Sequence, residues 1–448
     1  MKFIPEGVSL SGVTGVAVAL GSLCLGTTEC VRGIAQLAGW TESLNMRYAV
    51  TGSFYNPGPY GCMIGVLLPN ALYLYIKARW QPLRYFAALF ILLGAFMLPL
   101  SLSRTGWIAA AAGSGVVLWG TWLKERLKPF LGRYPKSLSY AAALTLTLSV
   151  VAAMSGLYLI KPESAQGRVL IWKIAADAAC EHSPYGVGWE KVAGAYGDAQ
   201  ERYFSSDGYT ATEAMVADAP EYVFNEYLQT AIAFGLPAAV ILITLILSAI
   251  VLYWRNGRYG FCGMTVGLAV CCCSSYPFQF MSFKITAAVM LVCSLMQIRR
   301  VYISIPLIIA TLGGAIWFCA HTPRVSIERE FSEGRSLRQA GRYEESNRRL
   351  LSLLPRTSDP MPLNLIGKNY TDMGMRDSAE YFLRRSALRV PNRMYPHYLL
   401  MKLYALSPAD SLLMKAEAHR ILTMGVKIAS PAVEDMRREA EEAITPNH

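Results

Sequence analysis

Up to Phe318 the chain alternates apolar blocks of about 18–25 residues with short polar joints, and after Thr322 the blocks stop. Blocks of that length are what a helix needs to cross the hydrocarbon core of a bilayer. The pattern predicts nine spans, at about 8–26, 60–76, 85–102, 106–122, 138–160, 229–253, 259–276, 279–298 and 301–320. The first block runs too long for the apolar core of a signal peptide and reads as a span. The segment 29–40 has helical apolar spacing but is short and carries Glu29 and Arg32, which predicts an interfacial or re-entrant helix. The fold class is therefore all-α: a polytopic bundle over 1–321, followed by a polar domain over 322–448.

The polar joints set the orientation. Lys77, Arg79 and Arg84, then Lys124, Arg126, Lys128, Arg133 and Lys136, then Arg255 and Arg258, then Arg299 and Arg300 fall in alternate joints. Positive joints stay inside, so the N-terminus is expected in the cytoplasm. Segments 27–59, the turn 103–105, the long loop 161–228, the turn near Tyr276 and everything after His321 are expected outside. The long loop carries ten acids against five lysines and arginines between Lys161 and Phe224, unlike the basic inner joints. Loops this long are usually functional.

The segment after about Val325 reads as paired helices. Gly341 and Gly374 are 33 residues apart, and Pro355 and Pro391 are 36 apart. That resembles the period of about 34 residues of tetratricopeptide repeats. A third, poorer unit follows from Tyr395, with helical stretches at 409–424 and 431–443. Such an array is more often a docking surface than a catalytic one, so a protein partner is expected through 322–448.

Composition agrees with the pattern: 53% of the 448 residues are hydrophobic and 16% charged, against about a quarter charged in a soluble chain. The net charge of +11 is accounted for by the topology-setting joints, and no basic run interleaved with aromatics points to nucleic acid. Most of the ten cysteines lie inside apolar spans, where they act as small hydrophobes. Cys30 and Cys180 both fall outside on this topology and could pair. No zinc-ligand spacing, P-loop, dinucleotide glycine pattern, nucleophile elbow or H-E-x-x-H string is present.

Two arginines stand at or just outside apolar spans, where a cation needs an anionic partner. Arg104 lies in a three-residue polar turn between spans three and four, as a snorkelling side chain or as a fixed guanidinium facing the bundle. Arg168 follows Gly167 at the expected start of an amphipathic helix with Trp172, lying along the membrane. A cation in a first turn opposes the helix dipole, which suggests an anion bound beside it. Pro184, Gly186 and Gly188 mark a tight turn suited to close approach. Asn225 is placed to cap span six, and Glu226 is a carboxylate at the membrane rim able to take a proton from a hydroxyl. His182, the only histidine of the long loop, is the weaker base candidate.

Five strings resemble the O-antigen ligase and polymerase family of bacterial inner-membrane glycosyltransferases. They are Val50-Thr-Gly-Ser-Phe-Tyr-Asn56-Pro57 with the following Leu-Pro-Asn, Leu102-Ser-Arg-Thr-Gly106, Gly167-Arg-x-x-x-Trp172 with Pro184-x-Gly-x-Gly188, Asn225-Glu-Tyr-Leu-Gln229 with Gly235, and Ser275-Tyr-Pro-Phe-Gln279. The resemblance implies transfer of a glycan from undecaprenyl diphosphate to a hydroxyl of an acceptor glycan, lipid or protein, outside the membrane, with no metal and no cofactor. It puts Arg104 and Arg168 on the family's diphosphate-binding positions and makes Glu226 the remaining catalytic candidate. Asn56, Trp172, Gly188 and Asn225 become substrate-binding candidates. Two departures follow from it: ligases usually carry a histidine where this chain has Phe224, and the family usually has more spans ahead of these strings, so this chain is expected to begin part-way through that fold. The competing reading is non-catalytic, a membrane protein that holds lipid-linked glycan and recruits partners through its tail. A flippase or transporter is disfavoured by the lack of two matching halves.

Overall fold

The computed structural model describes residues 10–123, 126, 162–206, 208–298, 301–320, 327–425 and 430–445. The predicted span at 138–160 lies outside them. Every regular element among the described residues is a helix. Four helices are long and apolar enough to cross a membrane: α2 (Pro57–Lys77), α3 (Gln81–Leu100), α4 (Arg104–Leu118, continued to Leu123 by a π turn) and α9 (Leu236–Arg255). The protein is a multi-pass membrane protein. Its chain falls into two compact units, residues 1–160, 224–227 and 240–321, and residues 161–223, 228–239 and 322–448.

In the first unit α2 is the central helix, with 67% of its most apolar stretch buried, against 17% for α9. α9 instead exposes Val240, Ile241, Leu247 and Val251, the surface a helix shows to lipid tails, since its backbone is satisfied internally. α2 packs on α3, on α4 and on α10 (Tyr259–Ser274). The contact with α4 depends on small residues. Gly61 and Gly65 of α2, four apart, meet Gly106 of α4, whose Cβ, if present, would lie 2.5 Å from the Gly61 carbonyl. Small residues at this spacing let two backbones touch. α11 (Met281–Leu295) and α12 (Val301–Ala320) complete the described part of the unit.

The segment 29–40 is not a separate helix. α1 runs unbroken from Leu10 to Leu37. Its polar residues are satisfied by the following loop rather than by the membrane surface: Glu29 accepts from Ser53 N at 2.9 Å and Ser53 Oγ at 2.6 Å. One face further along, Gln36 Oε1 accepts the N–H groups of Thr51 and Gly52 at 2.9 and 2.8 Å. The predicted sixth span is also two helices, α8 (Glu226–Phe234) and α9, broken at Gly235 with φ +87°.

The second unit contains the long loop, folded as α5 (Pro162–Glu181), α6 (Val192–Ser205) and α7 (Ala211–Val216), with the C-terminal helices. Those form hairpins: α13 (Ile327–Gln339) with α14 (Tyr343–Leu353), α15 (Met361–Asp372) with α16 (Arg376–Arg389), and α17 (Met394–Tyr404) with α18 (Ser411–Thr423), the last joined by α19 (Pro431–Ile444). Gly341 and Gly374 hold the first two turns, both at φ +74°. A packing pair repeats with them, Gly334 against Leu350 and, 33 residues on, Gly367 against Leu383. The third hairpin, read from Tyr395, begins at Met394, and its turn uses Ser407 and Pro408 with no glycine to mark it.

Candidate functional site

In the first unit four of the five strings come together around the head of α4. Ser103 caps that helix: its Oγ accepts the Gly106 N–H at 3.2 Å and donates to the Gly58 carbonyl at 2.9 Å. Thr105 Oγ1 and Ser274 Oγ lie 2.8 Å apart, which joins the 102–106 string to the end of α10. Arg104 is the first residue of α4 and is partly exposed. A cation there opposes the helix dipole, while the N–H groups around it favour an anion. The electrostatic argument made for Arg168 thus belongs to Arg104.

The 224–227 string lies against α10 and the turn that follows it. Asn225 Nδ2 donates to the Cys273 carbonyl at 3.1 Å, and its Oδ1 accepts the Tyr227 N–H at 3.0 Å, the work of a helix cap. Tyr227 Oη donates to the Ala269 carbonyl at 3.2 Å. Glu226, ahead of the spanning helix α9, is 1% exposed. Its Oε1 accepts the Phe278 N–H at 2.7 Å, and its Oε2 is buried with no hydrogen-bond partner. Burial pushes the carboxyl up to about 8, against the pull of the Phe278 N–H and of the buried Lys284. Sequence reasoning placed this carboxylate at a wetted rim; the structure places it inside.

Aromatic rings close the group. Phe224 meets Tyr276 edge-on at 5.3 Å, Tyr276 lies 6.0 Å from Phe280, and Phe280 meets Phe54 at 5.0 Å. Asn56, beside Phe54, spends its Oδ1 capping α2 through the Gly58 N–H at 2.9 Å. Among the described residues the non-glycine positions with φ near +51° are Leu102 and Phe224, each one or two residues before a candidate. Such backbone costs roughly 1–3 kcal/mol and gathers at functional sites. Sequence reasoning passed over Lys284, a lone lysine in an apolar run, and Glu29 and Gln36, seven apart on one helix face.

The second unit carries the remaining candidates. α5 starts at Pro162, so Arg168 lies in its second turn and Gly167 is not its boundary. The apolar face of α5, with Leu170, Ile171, Ile174, Ala175 and Ala178, is buried within its own unit rather than laid along a membrane. Trp172 and Arg168 are partly exposed. The turn 184–188 closes on the end of α8: Val187 N donates to the Ile232 carbonyl at 3.0 Å and Gly188 N to that of Ala233 at 2.8 Å. Gly188 itself is exposed at φ +89°. Trp189 stacks 6.1 Å from Phe234. Cys30 and Cys180 are free thiols, the first buried and the second exposed. Among the described residues no three His, Cys, Asp or Glu side chains gather as metal ligands would.

Residues 87–243 match the family model described as O-Antigen ligase. Over that stretch, less than half of the chain, it is similar to the O-antigen ligase family. The match takes in Arg104, Arg168, Trp172, Gly188, Asn225 and Glu226, while Asn56 and the 275–279 string lie outside it. No curated protein and no solved structure matches the chain. That likeness points to glycan transfer of the ligase or polymerase kind, on lipid-linked glycan and acceptor substrates.

Proposed function

We propose that the protein transfers a glycan from an undecaprenyl-diphosphate donor to an acceptor hydroxyl on the periplasmic face of a bacterial inner membrane, as surface-polysaccharide ligase, polymerase or protein O-glycosylating enzyme. What carries this reading is the convergence of strings 50–57, 102–106, 224–227 and 274–280 around Arg104 at the head of α4. In the reaction the acceptor oxygen bonds to the anomeric carbon, the bond from that carbon to the diphosphate breaks, and charge grows on the leaving diphosphate. A guanidinium fork suits that charge. Arg104 and Arg168 are the cations that the family resemblance assigns to it. Glu226 is the group assigned to the acceptor proton, through its unpartnered Oε2. The positive joints orient the N-terminus to the cytoplasm and the C-terminal helices, read as tetratricopeptide-like, to the periplasm.

The test is Arg104→Ala and Arg168→Ala in the host, read as surface glycan profiles. Loss of long glycan with both variants present in the membrane supports transfer; unchanged profiles overturn it. One observation favours the non-catalytic alternative, Phe224 standing where ligases carry histidine. On that reading purified protein binds lipid-linked glycan and releases no free undecaprenyl diphosphate when acceptor is added.

A further inference from the structure

Arg389, at the end of α16, is the largest of the fully buried side chains among the described residues. Its Nε donates to Glu201 Oε1 and its Nη2 to Asp198 Oδ1, both at 2.6 Å, and its Nη1 to the Thr357 carbonyl at 3.2 Å. Arg385, one turn earlier, donates to Glu201 Oε2 at 2.8 Å and to Asp198 Oδ1 at 3.2 Å. Asp198 and Glu201 belong to α6 of the long loop. Backbone contacts surround these ion pairs. Gln200 Nε2 donates to the Arg389 carbonyl. Asn392 Nδ2 donates to the carbonyls of Ala214, Met215 and Ala217 at 3.1, 2.9 and 2.6 Å. Ser358 Oγ donates to that of Pro220 at 2.8 Å. Gly194 passes so close to the Pro355 carbonyl that a β-carbon would collide with it.

The repeat shows why this arginine faces the loop. The residue 33 before Arg389 is Arg356, which is satisfied inside the array by Glu330 at 3.0 Å. The residue 33 after Glu330 is Leu363. The second hairpin therefore keeps the arginine and lacks its internal acid, and the loop supplies two. From α6 the contacts continue to α5: Arg202 pairs with Glu181, and Lys173 Nζ donates to Tyr203 Oη at 2.6 Å. Tyr203 in turn donates to Glu213 Oε1 at 2.8 Å. α5 is the helix of Arg168 and Trp172.

We propose that the C-terminal array is an internal brace for the long loop, and that Arg389 is a positioning residue which sets the helix of Arg168 by holding α6. The α16 face bearing Arg385 and Arg389 is thus taken by the chain's own loop and is not open to an outside partner. The proposal concerns how α5 is held and stands apart from whatever chemistry Arg168 serves.

Hydrogen exchange on the full-length protein in detergent tests it. Arg389→Ala leaves Glu201 and Asp198 to Arg385 alone and removes the bond to the Thr357 carbonyl, so amides of α6 and α5 are expected to exchange about tenfold faster or more, with α2 and α4 unchanged. Arg389→Lys keeps a cation toward Glu201 and Asp198 without the planar fork, and is expected to return part of that protection to both helices. Should R389A not accumulate, Arg385→Ala, whose side chain is 25% exposed, is read the same way with a smaller increase. Unchanged exchange in α5, or faster exchange in α2 and α4 as well, overturns the proposal. Failure of glycan transfer in R168A with exchange intact would speak to the chemistry alone.

Discussion

Glu226 Oε1 accepts a 2.7 Å hydrogen bond from the backbone N–H of Phe278, 52 residues further along the chain. It links the string that opens α8 to the turn between α10 and α11, both of which the sequence singles out independently. A buried carboxyl with one oxygen engaged and the other without a partner is poised near neutral pH rather than at the usual acid range.

This sets a pH dependence with a definite sign. Below about 4.5 the Glu226 carboxyl is protonated in folded and unfolded chain alike; from there to about 8 the folded form keeps a proton the unfolded form gives up. Its contribution to stability is full below about 4.5, declines as pH rises and is lost through about 8. Thermal midpoints in detergent should show this decline, and Glu226→Gln should flatten it. If Glu226 takes the acceptor proton, transfer by the native protein rises toward about 8. E226Q would then lose most of the rate at every pH; a native rate independent of pH over that window removes Glu226 from the chemistry.

Arg104 separates charge from shape. Removing one group that meets developing charge typically costs about 10²–10³ in rate, and R104A is expected to lose that much. Arg104→Lys keeps the cation without the planar fork and should recover only part of the loss. Turnover of a lipid-diphosphate donor in nanodiscs measures both. Equal activity for lysine and arginine would reduce the role to a point charge.

The crossing of α2 and α4 can be tested without touching chemistry. Gly106→Ala adds a β-carbon 2.5 Å from the Gly61 backbone, an overpacking expected to cost about 1–3 kcal/mol. Gly115, on the same helix, has nothing within 4 Å of that position, so G115A should be neutral or slightly stabilising, by up to about 1 kcal/mol. Unfolding of detergent-solubilised protein compares the pair; equal midpoints would mean that the two helices do not meet as described.

The topology has its own check. A reporter fused at Asp359 is expected to be active only when displayed in the periplasm. A cytoplasmic signal would overturn the nine-span count and the orientation read from the lysines and arginines of the joints.

Much of the fold was legible because membranes and left-handed turns impose simple rules. Block length announced α2, α3, α4 and α9, and Gly341 and Gly374 announced two hairpins because φ near +74° favours glycine. The third hairpin turn uses Pro408 instead, and its helices are read from the spacing after Tyr395 alone. The continuity of α1 was hidden because Glu29 and Arg32 look too polar for a span until Ser53 is seen to satisfy Glu29. Of the candidate site, the strings were visible as text and their meeting was not. Thr105 with Ser274, or Glu226 with Phe278, are contacts between residues remote in sequence that no local pattern encodes. Arg168 was misjudged because Gly167 resembles a boundary, while Pro162 starts the helix.

Phe224 keeps a left-handed backbone under an aromatic side chain. At φ +51° a β-carbon is strained where glycine or asparagine would sit more easily, and the ring rests edge-on against Tyr276. Any side chain grafted there inherits a fixed aim. Installing an imidazole by Phe224→His would ask for no new loop, no new register and no change in the helix it precedes. The strain at 224 thus fixes where a side chain leaves the backbone just ahead of Asn225 and Glu226.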